Sequence, residues 1–401
     1  MKILVITQYF YPENFRINDI CLGLIERGYQ VTVLTGKPNY PTGNYFNGYS
    51  WSNLNFETWN GINIYRSNLI LRGSGSGTML FLNYFSFVFF SIQRLFFIKS
   101  KFDRIFIFAP SPITVALPGI LASRLFNAKS ILWVHDLWPE SIKIAGGVNN
   151  KFLIKVIDIM TRWIYKKVDK ILIQSEAFRL YINNQVCDKK KISYYPFYSE
   201  TFYKVESPNL KYSKDLPDGF KILFAGNIGE AQSFPTLLAA AKILKDMNIH
   251  ITWIIFGDGR MKETVIDEIE NNGLQNHFIL KGSLPAIEMP KYFCCVDALI
   301  VSLKKSKIFS LTIPGKLQSY LACGRPIIGS LDGIGADIIN NAKCGFTANA
   351  ESINELVNAI LKLYNLTSDE RIKMGLNARN YFEKEFEREN LLHKLEQILQ
   401  D

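Results

Sequence analysis

Cysteine and histidine are scarce in this sequence. Its 401 residues include only six cysteines and four histidines, and no two cysteines have the Cys-x-x-Cys spacing. Six cysteines are too few for a disulfide scaffold in so long a chain, and the missing spacing argues against a structural zinc site. We therefore expect a reducing, cytosolic setting.

Long hydrophobic runs are also missing. The apolar start, Met1–Thr7, is too short for the core of a signal peptide and is typical of a buried strand. The best membrane candidate, residues 78–93, is shorter than the ~20 apolar residues of a span, and it contains Asn83 and Gln93. Three interpretations stay open for it: a buried helix, a helix on the bilayer surface beside a basic rim, or a true span.

Acidic residues are scarce in the N-terminal half of the sequence but not in the C-terminal half. Residues 1–200 carry 23 basic and 12 acidic residues, a net charge of +11, whereas residues 201–401 carry 23 and 24, a net charge of −1. Such an excess favours an anionic partner, either nucleic acid, a phosphorylated substrate or an acidic lipid surface; a solubility charge without a partner is the alternative. No motif of interleaved arginines and aromatics is present, so we expect no nucleic-acid partner.

The chain does contain short apolar runs that alternate with amphipathic stretches in both halves. Hydrophobic residues make up 48% of the sequence, enough for a core in each half. Near-continuous apolar strands separated by helices predict an α/β fold with parallel sheets covered on both faces. The predicted strands are Lys2–Thr7, Gln30–Thr35, Arg104–Ala109, Ser130–Val134 and Lys170–Gln174 in the first half, and 220–226, 249–256, 278–282, 298–301 and 326–330 in the second.

A proline-containing stretch separates the halves. Residues 196–219 hold three prolines and mixed charge, as a linker does. We predict an N-terminal domain over 1–200, a linker over 201–219 and a C-terminal domain over 220–381. Each domain is expected to be doubly wound, with a cleft between the two.

Glycines follow the predicted strands of the second domain, in Ala225–Gly229, Phe256–Gly259, Lys281–Ser283 and Pro314–Lys316. Ligands of open α/β sheets bind at the carboxyl ends of strands, where glycine lets backbone N–H groups approach a phosphate. Each glycine alone is explained by a tight turn. Four such turns on one edge, with Lys316 at a helix start, favour an anion site. No P-loop or dinucleotide fingerprint is present.

In the first domain, one strand runs directly into His135 and Asp136, followed by Trp138. A His-Asp pair at a strand end suggests an acceptor or acid–base site. The alternative is that His135 caps a loop and Trp138 belongs to the core. The loops Gln8–Arg16 and Gly36–Gly43 are expected on the same edge.

Taken together, these segments resemble glycosyltransferase family 4, whose members are retaining, sugar-nucleotide-dependent enzymes of the GT-B fold. The resemblance extends from Met1 to Pro326 and is nearest to the branch that builds colanic acid, capsule and O-antigen polysaccharides. The segments that carry it are Met1–Ile6 with Arg27–Thr35, Pro38–Pro41, Asp136–Ser141, Gly226–Gln232, Phe256–Gly259 and Ile313–Pro326.

The resemblance implies two doubly wound, Rossmann-like domains facing across a cleft. It implies a nucleotide-sugar donor, which we expect to be UDP-linked, on the C-terminal domain. The N-terminal domain would bind a saccharide linked to polyprenyl diphosphate, at an anionic surface on the inner face of the cytoplasmic membrane. It also implies retention by front-face attack, no metal or other cofactor, and a last helix, 382–400, that returns to the first domain.

Site residues follow from the resemblance position by position. The implied catalytic and acceptor residues are His135, Asp136, Glu140, Asn14 and Arg16. Lys316 and Arg260 are the expected cations for the diphosphate. The full implied nucleotide-sugar site is Gly226, Asn227, Gly229, Gln232, Gly257, Gly259, Arg260, Ser283, Leu284, Gly315, Lys316, Leu317 and Ser319.

The sequence departs from the family pattern at three places. Leu311 and Ser319 stand where the family has a pair of glutamates, the second of which binds the ribose, so Ser319 or a neighbour would take that role. Asn227 and Gln232 lie in the stretch that carries the family's arginine and lysine. Glu13-Asn14 replaces a Gly-Gly pair.

Two other functions fit the same fold. An epimerase acting on a UDP-amino sugar would need neither acceptor groove nor membrane face, and the aromatic, basic segment 72–101 argues against it. A non-catalytic subunit that binds nucleotide or membrane is favoured by the missing glutamates. The segment beginning at Asp136, together with Lys316, argues against that subunit.

Overall fold

The computed structural model describes residues 1–73, 75–145, 150–185 and 188–401. The chain divides into two compact units. Unit 1 comprises Met1–Tyr195 with Leu392–Asp401, and unit 2 comprises Pro196–Leu391.

Unit 1 is built on an eight-stranded sheet. The strand order is β3-β4-β2-β1-β5-β6-β7-β8, and every neighbouring pair is parallel except β3 with β4. The inner strands are almost wholly buried, as expected for a sheet covered on both faces. The strands are β1 Lys2–Ile6, β2 Gln30–Gly36, β3 Phe56–Trp59, β4 Ile62–Ser67, β5 Arg104–Ala109, β6 Lys129–Val134, β7 Lys170–Ile173 and β8 Ile192–Tyr194.

Helices connect the parallel strands of unit 1. They are α1 Arg16–Glu26, α2 Gly77–Leu95, α3 Ala116–Phe126, α4 Glu140–Ala145, α5 Lys151–Lys167 and α6 Ala177–Asn183. The amphipathic pattern that predicted α1 is visible in its buried Ile17, Ile20 and Leu24. On one face of the sheet, α3 packs against both α2 and α5.

Unit 2 contains a six-stranded, fully parallel sheet in the order β11-β10-β9-β12-β13-β14. Neighbouring residues of the four inner strands belong to two separate hydrophobic clusters. For example, Leu223 lies in one cluster, while Ile222 and Phe224 lie in the other, so both faces are covered. The strands are β9 Phe220–Ala225, β10 Ile251–Phe256, β11 Phe278–Gly282, β12 Ala298–Ser302, β13 Ile327–Ser330 and β14 Gly345–Ala348.

The helices of unit 2 include a long C-terminal series. They are α7 Leu210–Ser213, α8 Phe234–Asp246, α9 Lys262–Asn271, α10 Met289–Phe293, α11 Lys307–Leu311, α12 Gly315–Ala322, α13 Ile334–Ala342, α14 Ile353–Tyr364, α15 Ser368–Glu385 and α16 Arg388–Gln400. A capping box at Thr367 and Glu370 starts α15 and separates it from α14.

The unit boundaries differ from the predicted ones. The stretch 196–219 belongs to unit 2, whereas the sequence predicted its residues as the end of the first domain and a linker. It is held there by side chains of unit 2: Gln318 donates to the Phe197 carbonyl at 2.7 Å, and Lys281 pairs with Asp215 at 2.8 Å. Of the predicted return segment 382–400, only the part from Leu392 onward belongs to unit 1.

Residues 78–93 lie within α2, whose two sides differ sharply. Asn83 and Phe87 are fully buried, whereas Phe85 and Phe89 are 44% and 58% exposed. One side of the helix is therefore buried, as the first interpretation predicts, and the other side is exposed to solvent. No helix in the described ranges is both long and apolar enough to cross a membrane, so the spanning interpretation fails for this segment.

Candidate functional site

The strand order of unit 2 has one point at which the chain reverses direction across the sheet. From β9 the chain proceeds outward to β10 and β11, whereas from β12 it proceeds the other way to β13 and β14. The carboxyl ends of β9 and β12 therefore flank a crevice of the kind in which open α/β sheets bind ligands. The Lys304 backbone N–H donates to the Ala231 carbonyl at 2.9 Å and ties the two loops together.

Glycines line this edge because nothing larger fits. Gly257 has φ +146°, and a Cβ there would lie 1.8 Å from the Gly226 carbonyl oxygen. Gly259 has φ +157°, and its Cβ would lie 2.3 Å from the Ile228 carbonyl oxygen. The loops after β9 and β10 are thus packed backbone against backbone, and Gly226 and Asn227 remain exposed. Exposed backbone of this kind suits close approach by a phosphate.

Helix α12 brings a lysine to the same edge. The Tyr320 hydroxyl accepts a hydrogen bond from the Ala225 N–H at 2.9 Å, which fixes α12 to the end of β9. Gly315 is exposed at the first turn. The Lys316 Nζ donates to Gln232 Oε1 at 2.6 Å and lies 3.8 Å from the centre of the Phe224 ring. A helix N-terminus and an ammonium group therefore converge beside Gly226.

The environment of Lys316 lowers the pKa of its ammonium group. Burial lowers its pKa to about 7, because the charged form loses hydration. An anion in the crevice would supply a countercharge. The structure thus brings together Gly226, Asn227, Gly229, Gln232, Gly257, Gly259, Gly315 and Lys316.

Other residues of the implied donor site are placed differently. Arg260, Ser283 and Leu284 are exposed on the loops after β10 and β11. Leu317 is fully buried in the core of unit 2, so its role is to anchor α12. Ser319 is 7% exposed and accepts from the Ser199 hydroxyl at 3.2 Å, which leaves it poorly placed to meet a ribose.

Unit 1 has a corresponding reversal between β1 and β5. Asp136, just after β6, is mostly buried and hydrogen-bonded to Ser111 in the loop after β5. Burial raises the pKa of this carboxyl to about 6. Asp136 therefore stands at the carboxyl edge of the sheet, as the sequence predicted.

His135 lies deeper than its neighbour. It is 5% exposed, and its ring lies 4.3 Å from that of Trp133 and 4.7 Å from that of Phe108, measured between centres. Burial lowers its pKa well below the usual histidine value, so the ring is neutral. Trp138 is also buried, at 7%. Trp138 is thus buried, as the alternative expects, whereas the ring of His135 packs among aromatic side chains and does not cap a loop at the surface.

The remaining predicted acceptor residues lie near the surface of unit 1. Asn14 is exposed, and Arg16 is the first residue of α1. Glu140 begins α4 and lines a pocket of about 480 Å³ together with Lys155 and Arg162.

Sequence reasoning missed the role of Glu13, which it noted only as a departure. This carboxylate is 2% exposed and accepts backbone N–H groups from Tyr40 at 2.7 Å, Asn39 at 2.9 Å and Phe10 at 3.3 Å. It fastens the loop after β1 to the loop after β2. Burial nevertheless raises its pKa to about 7. Asn39 and Tyr40 lie 26 and 27 residues away along the chain, so no local pattern could have revealed these contacts.

A cluster of aromatic rings around Arg72 was missed as well. Tyr9 stacks on Phe15 with centres 4.9 Å apart, and Tyr40 lies 5.7 Å from Tyr9. The Arg72 guanidinium lies 4.8 Å from the centre of the Tyr40 ring. The aromatic loop after β1 was the available signal, but only the fold places Arg72 on it. A cation on an aromatic surface suits a phosphorylated saccharide.

Within the described ranges, no group of three or more His, Cys, Asp or Glu side chains is placed to hold a metal ion.

Comparisons with known proteins identify both halves of the chain. The family model "Glycosyl transferase 4-like domain" matches residues 14–197, and the model "Glycosyl transferases group 1" matches residues 209–381. The chain is a GT-B glycosyltransferase of the family 4 type.

Individual relatives agree with this assignment. The chain is 25% identical to the candidate colanic acid biosynthesis glycosyl transferase WcaI of Escherichia coli K12, over 98% of each chain. Among solved structures, HepE of Anabaena in complex with UDP superposes with a TM-score of 0.71 at 14% identity, covering all of both chains. WaaG, a glycosyltransferase involved in lipopolysaccharide biosynthesis, superposes with a TM-score of 0.70 at 13% identity, covering 100% of this chain and 99% of that one. At such identities these structures establish the GT-B fold alone.

Proposed function

We propose that this glycosyltransferase moves a sugar from a UDP-sugar to a saccharide linked to polyprenyl diphosphate, with retention of configuration, in the synthesis of a bacterial surface polysaccharide. The observation that carries the donor half is the convergence of Lys316, the α12 N-terminus and the Gly226 backbone at the switch point of unit 2. UDP is the nucleotide proposed because HepE, which shares the fold, was solved with it.

The proposed donor chemistry is electrostatic. As the glycosidic bond to the nucleotide breaks, negative charge grows on the departing diphosphate. Lys316 and the first N–H groups of α12 would stabilise that charge, as cations and helix ends do for phosphates. We expect no metal ion to be needed for this step. Retention rests on the family resemblance: the acceptor hydroxyl attacks from the face that the diphosphate leaves, and a donor phosphate oxygen takes its proton.

The proposed acceptor half lies at the carboxyl edge of unit 1. There Arg72 stands on the Tyr40 ring and would hold a phosphate of the acceptor. Asp136, with a pKa of about 6, is mostly ionised at neutral pH and would accept a hydrogen bond from a sugar hydroxyl. The relation to WcaI supports placing the reaction in exopolysaccharide synthesis.

A lipid-linked acceptor implies contact with a membrane. The exposed side of α2 supports it: Phe81, Phe85 and Phe89 are 50%, 44% and 58% exposed and recur every four residues. The basic charge of residues 1–200 would complement anionic lipid. We propose that the protein binds peripherally to the inner face of the cytoplasmic membrane through this side of α2.

Transfer to lipid is the direct test. Purified protein is incubated with radiolabelled UDP-, GDP- and dTDP-sugars and with vesicles containing polyprenyl-diphosphate-linked saccharides, and label is counted in the lipid phase. The proposal predicts label from UDP-sugars only, and an α-linked product from an α-linked donor by NMR. Release of UDP with no lipid product, at a rate independent of acceptor, would favour the epimerase or hydrolase alternative. Failure to bind any nucleotide would favour the non-catalytic subunit.

A further inference from the structure

We propose that helix α5 is a second membrane-binding element of unit 1, inserting an apolar stripe into the surface of an anionic bilayer beside α2. This inference rests on the proposed function, since it specifies how the enzyme meets its lipid-linked acceptor. The membrane candidate identified from the sequence was residues 78–93, in α2, and not α5.

The stripe consists of four large apolar side chains on the outer side of α5. Phe152, Val156, Ile159 and Trp163 are 78%, 46%, 58% and 42% exposed. Their spacing of four, three and four residues places them in one line along the helix. The opposite side is buried through Ile164 and Tyr165. The helix is therefore anchored to unit 1 by one face and presents a continuous apolar line on the other.

The charge around the stripe is strongly positive. The helix has five basic residues and one acidic residue, Asp158, which pairs with Arg162 at 2.8 Å. Lysines flank both ends, and a tryptophan lies within the stripe. Apolar side chains bordered by lysines, with an interfacial tryptophan, are typical of helices that lie in the headgroup region. The basic residues are Lys151, Lys155, Arg162, Lys166 and Lys167.

The same charges argue against a second copy of the chain as the occupant. A twofold dimer through this face would bring two helices of net charge +4 together. Like charges in such proximity are unfavourable, whereas an anionic bilayer complements them. The lipid surface is therefore the occupant to which we commit.

The stripe of α5 is placed to act together with α2. Both helices pack against α3, so all three cover one face of the sheet. Each follows a parallel strand and precedes the next, α2 between β4 and β5 and α5 between β6 and β7. Helices in such crossovers run antiparallel to the strands, so both begin near the carboxyl edge. Docking through both would set Arg72 and Asp136 close to the lipid headgroups.

Vesicle flotation tests the proposal. Wild-type protein and the double variant Ile159→Ser/Trp163→Ser are mixed with vesicles of 70% phosphatidylcholine and 30% phosphatidylglycerol. A matched control, Ile372→Ser/Leu376→Ser, removes two exposed side chains of equal spacing from α15 in unit 2, 56% and 59% exposed in the wild type. We expect the α5 variant to lower the partition coefficient roughly tenfold or more. The control should bind like wild type, and pure phosphatidylcholine vesicles should bind weakly.

A second measurement places Trp163 at the lipid. The measurement uses a Trp51→Phe background, because Trp51 is exposed and packs on Phe90 of α2. Vesicles with brominated acyl chains should quench part of the tryptophan fluorescence, and adding Trp163→Phe should remove most of that quenching while flotation persists. Unchanged flotation of the double variant, or quenching that survives in Trp163→Phe, would overturn the proposal. So would a vesicle-free dimer in sedimentation that the α5 variant abolishes while flotation is retained. UDP-induced thermal stabilisation, measured without vesicles, reports separately on the proposed function.

Discussion

Among single residues, Lys316 matters most to the proposed chemistry. Its ammonium group has an amide oxygen and a ring face as neighbours, and within the described part of the chain it forms no ion pair with a carboxylate. Such a group costs stability in the free protein and gains a partner when a diphosphate binds. Cations held this way are typical of functional sites.

We expect Lys316→Met to lower turnover at least tenfold, about 1.4 kcal/mol of transition-state stabilisation, with the fold intact. Methionine keeps the length of the side chain and its packing on Phe224 but removes the charge. Lys242→Met on α8, where the lysine bonds only to Asn272 in the described structure, is the control. Wild-type turnover in the Lys316 variant would remove this residue from the diphosphate site.

The lowered pKa of Lys316 gives nucleotide binding a defined pH dependence. In the free protein the group is about half protonated near pH 7. A bound diphosphate raises its pKa, so binding takes up a proton, and affinity should fall as pH rises from 7 to 9. The fall should approach tenfold per unit while the bound lysine stays charged. Titration calorimetry of UDP at pH 7, 8 and 9 measures it; Lys316→Arg should abolish the slope, and an equal slope in that variant would refute the assignment.

The raised pKa of Glu13 predicts how the stability of the protein depends on pH. Its folded pKa, about 7, lies above the ordinary 4.5, so folding favours the protonated form. The stability that it contributes is present below about pH 4.5 and is lost as pH rises through 7. Glu13→Gln removes that dependence, so the variant should gain thermal stability relative to wild type between pH 5 and pH 8. A constant difference in melting temperature over that range would show that Glu13 does not titrate this way.

These residues also show how far sequence reasoning reached. Lys316 was identified because a lysine at a helix start is a local pattern. Glu13, Tyr40 and Arg72 are brought together by the sheet, and no spacing along the chain reports it. For His135, residue type could not reveal that the rings of Trp133 and Phe108 pack against its own ring.

At the scale of elements, long and buried segments were predicted well. Strand β5 was predicted with its observed bounds, because six residues with five buried give a clear signal. Four strands, β3, β4, β8 and β14, were missed, and all of them except β4 have four residues or fewer. They lie at or next to the edges of their sheets, where burial is partial and the pattern of apolar residues is weak. These omissions do not affect the position predicted for the donor crevice, because the crevice is flanked by the central strands β9 and β12.

The exposed side of α2 carries an element-scale prediction. Phe85→Ser/Phe89→Ser should reduce flotation with anionic vesicles by roughly tenfold or more, because two large apolar contacts are lost from the lipid surface. Both side chains point away from the buried Asn83 and Phe87, so the fold should be kept. Nucleotide-induced stabilisation in solution should be unchanged. Full vesicle binding by this variant would show that α2 does not face lipid.

At the scale of the whole chain, charge and function separate by unit. The basic excess lies within residues 1–200, nearly all of unit 1, whereas residues 201–401 are close to neutral. In unit 2, the proposed donor crevice combines glycine backbone with the ammonium group of Lys316. This division fits a protein whose first unit meets lipid and acceptor and whose second unit meets a soluble nucleotide.

The measurement that tests this account most directly is a thermal-shift titration of purified protein with UDP, GDP, dTDP, ADP and CMP, repeated on Lys316→Met. The account predicts selective stabilisation by UDP, of about 2.7 kcal/mol at a concentration a hundred times the Kd, and its loss in the variant. Stabilisation by no nucleotide, or equal stabilisation of the wild type and Lys316→Met, would contradict it.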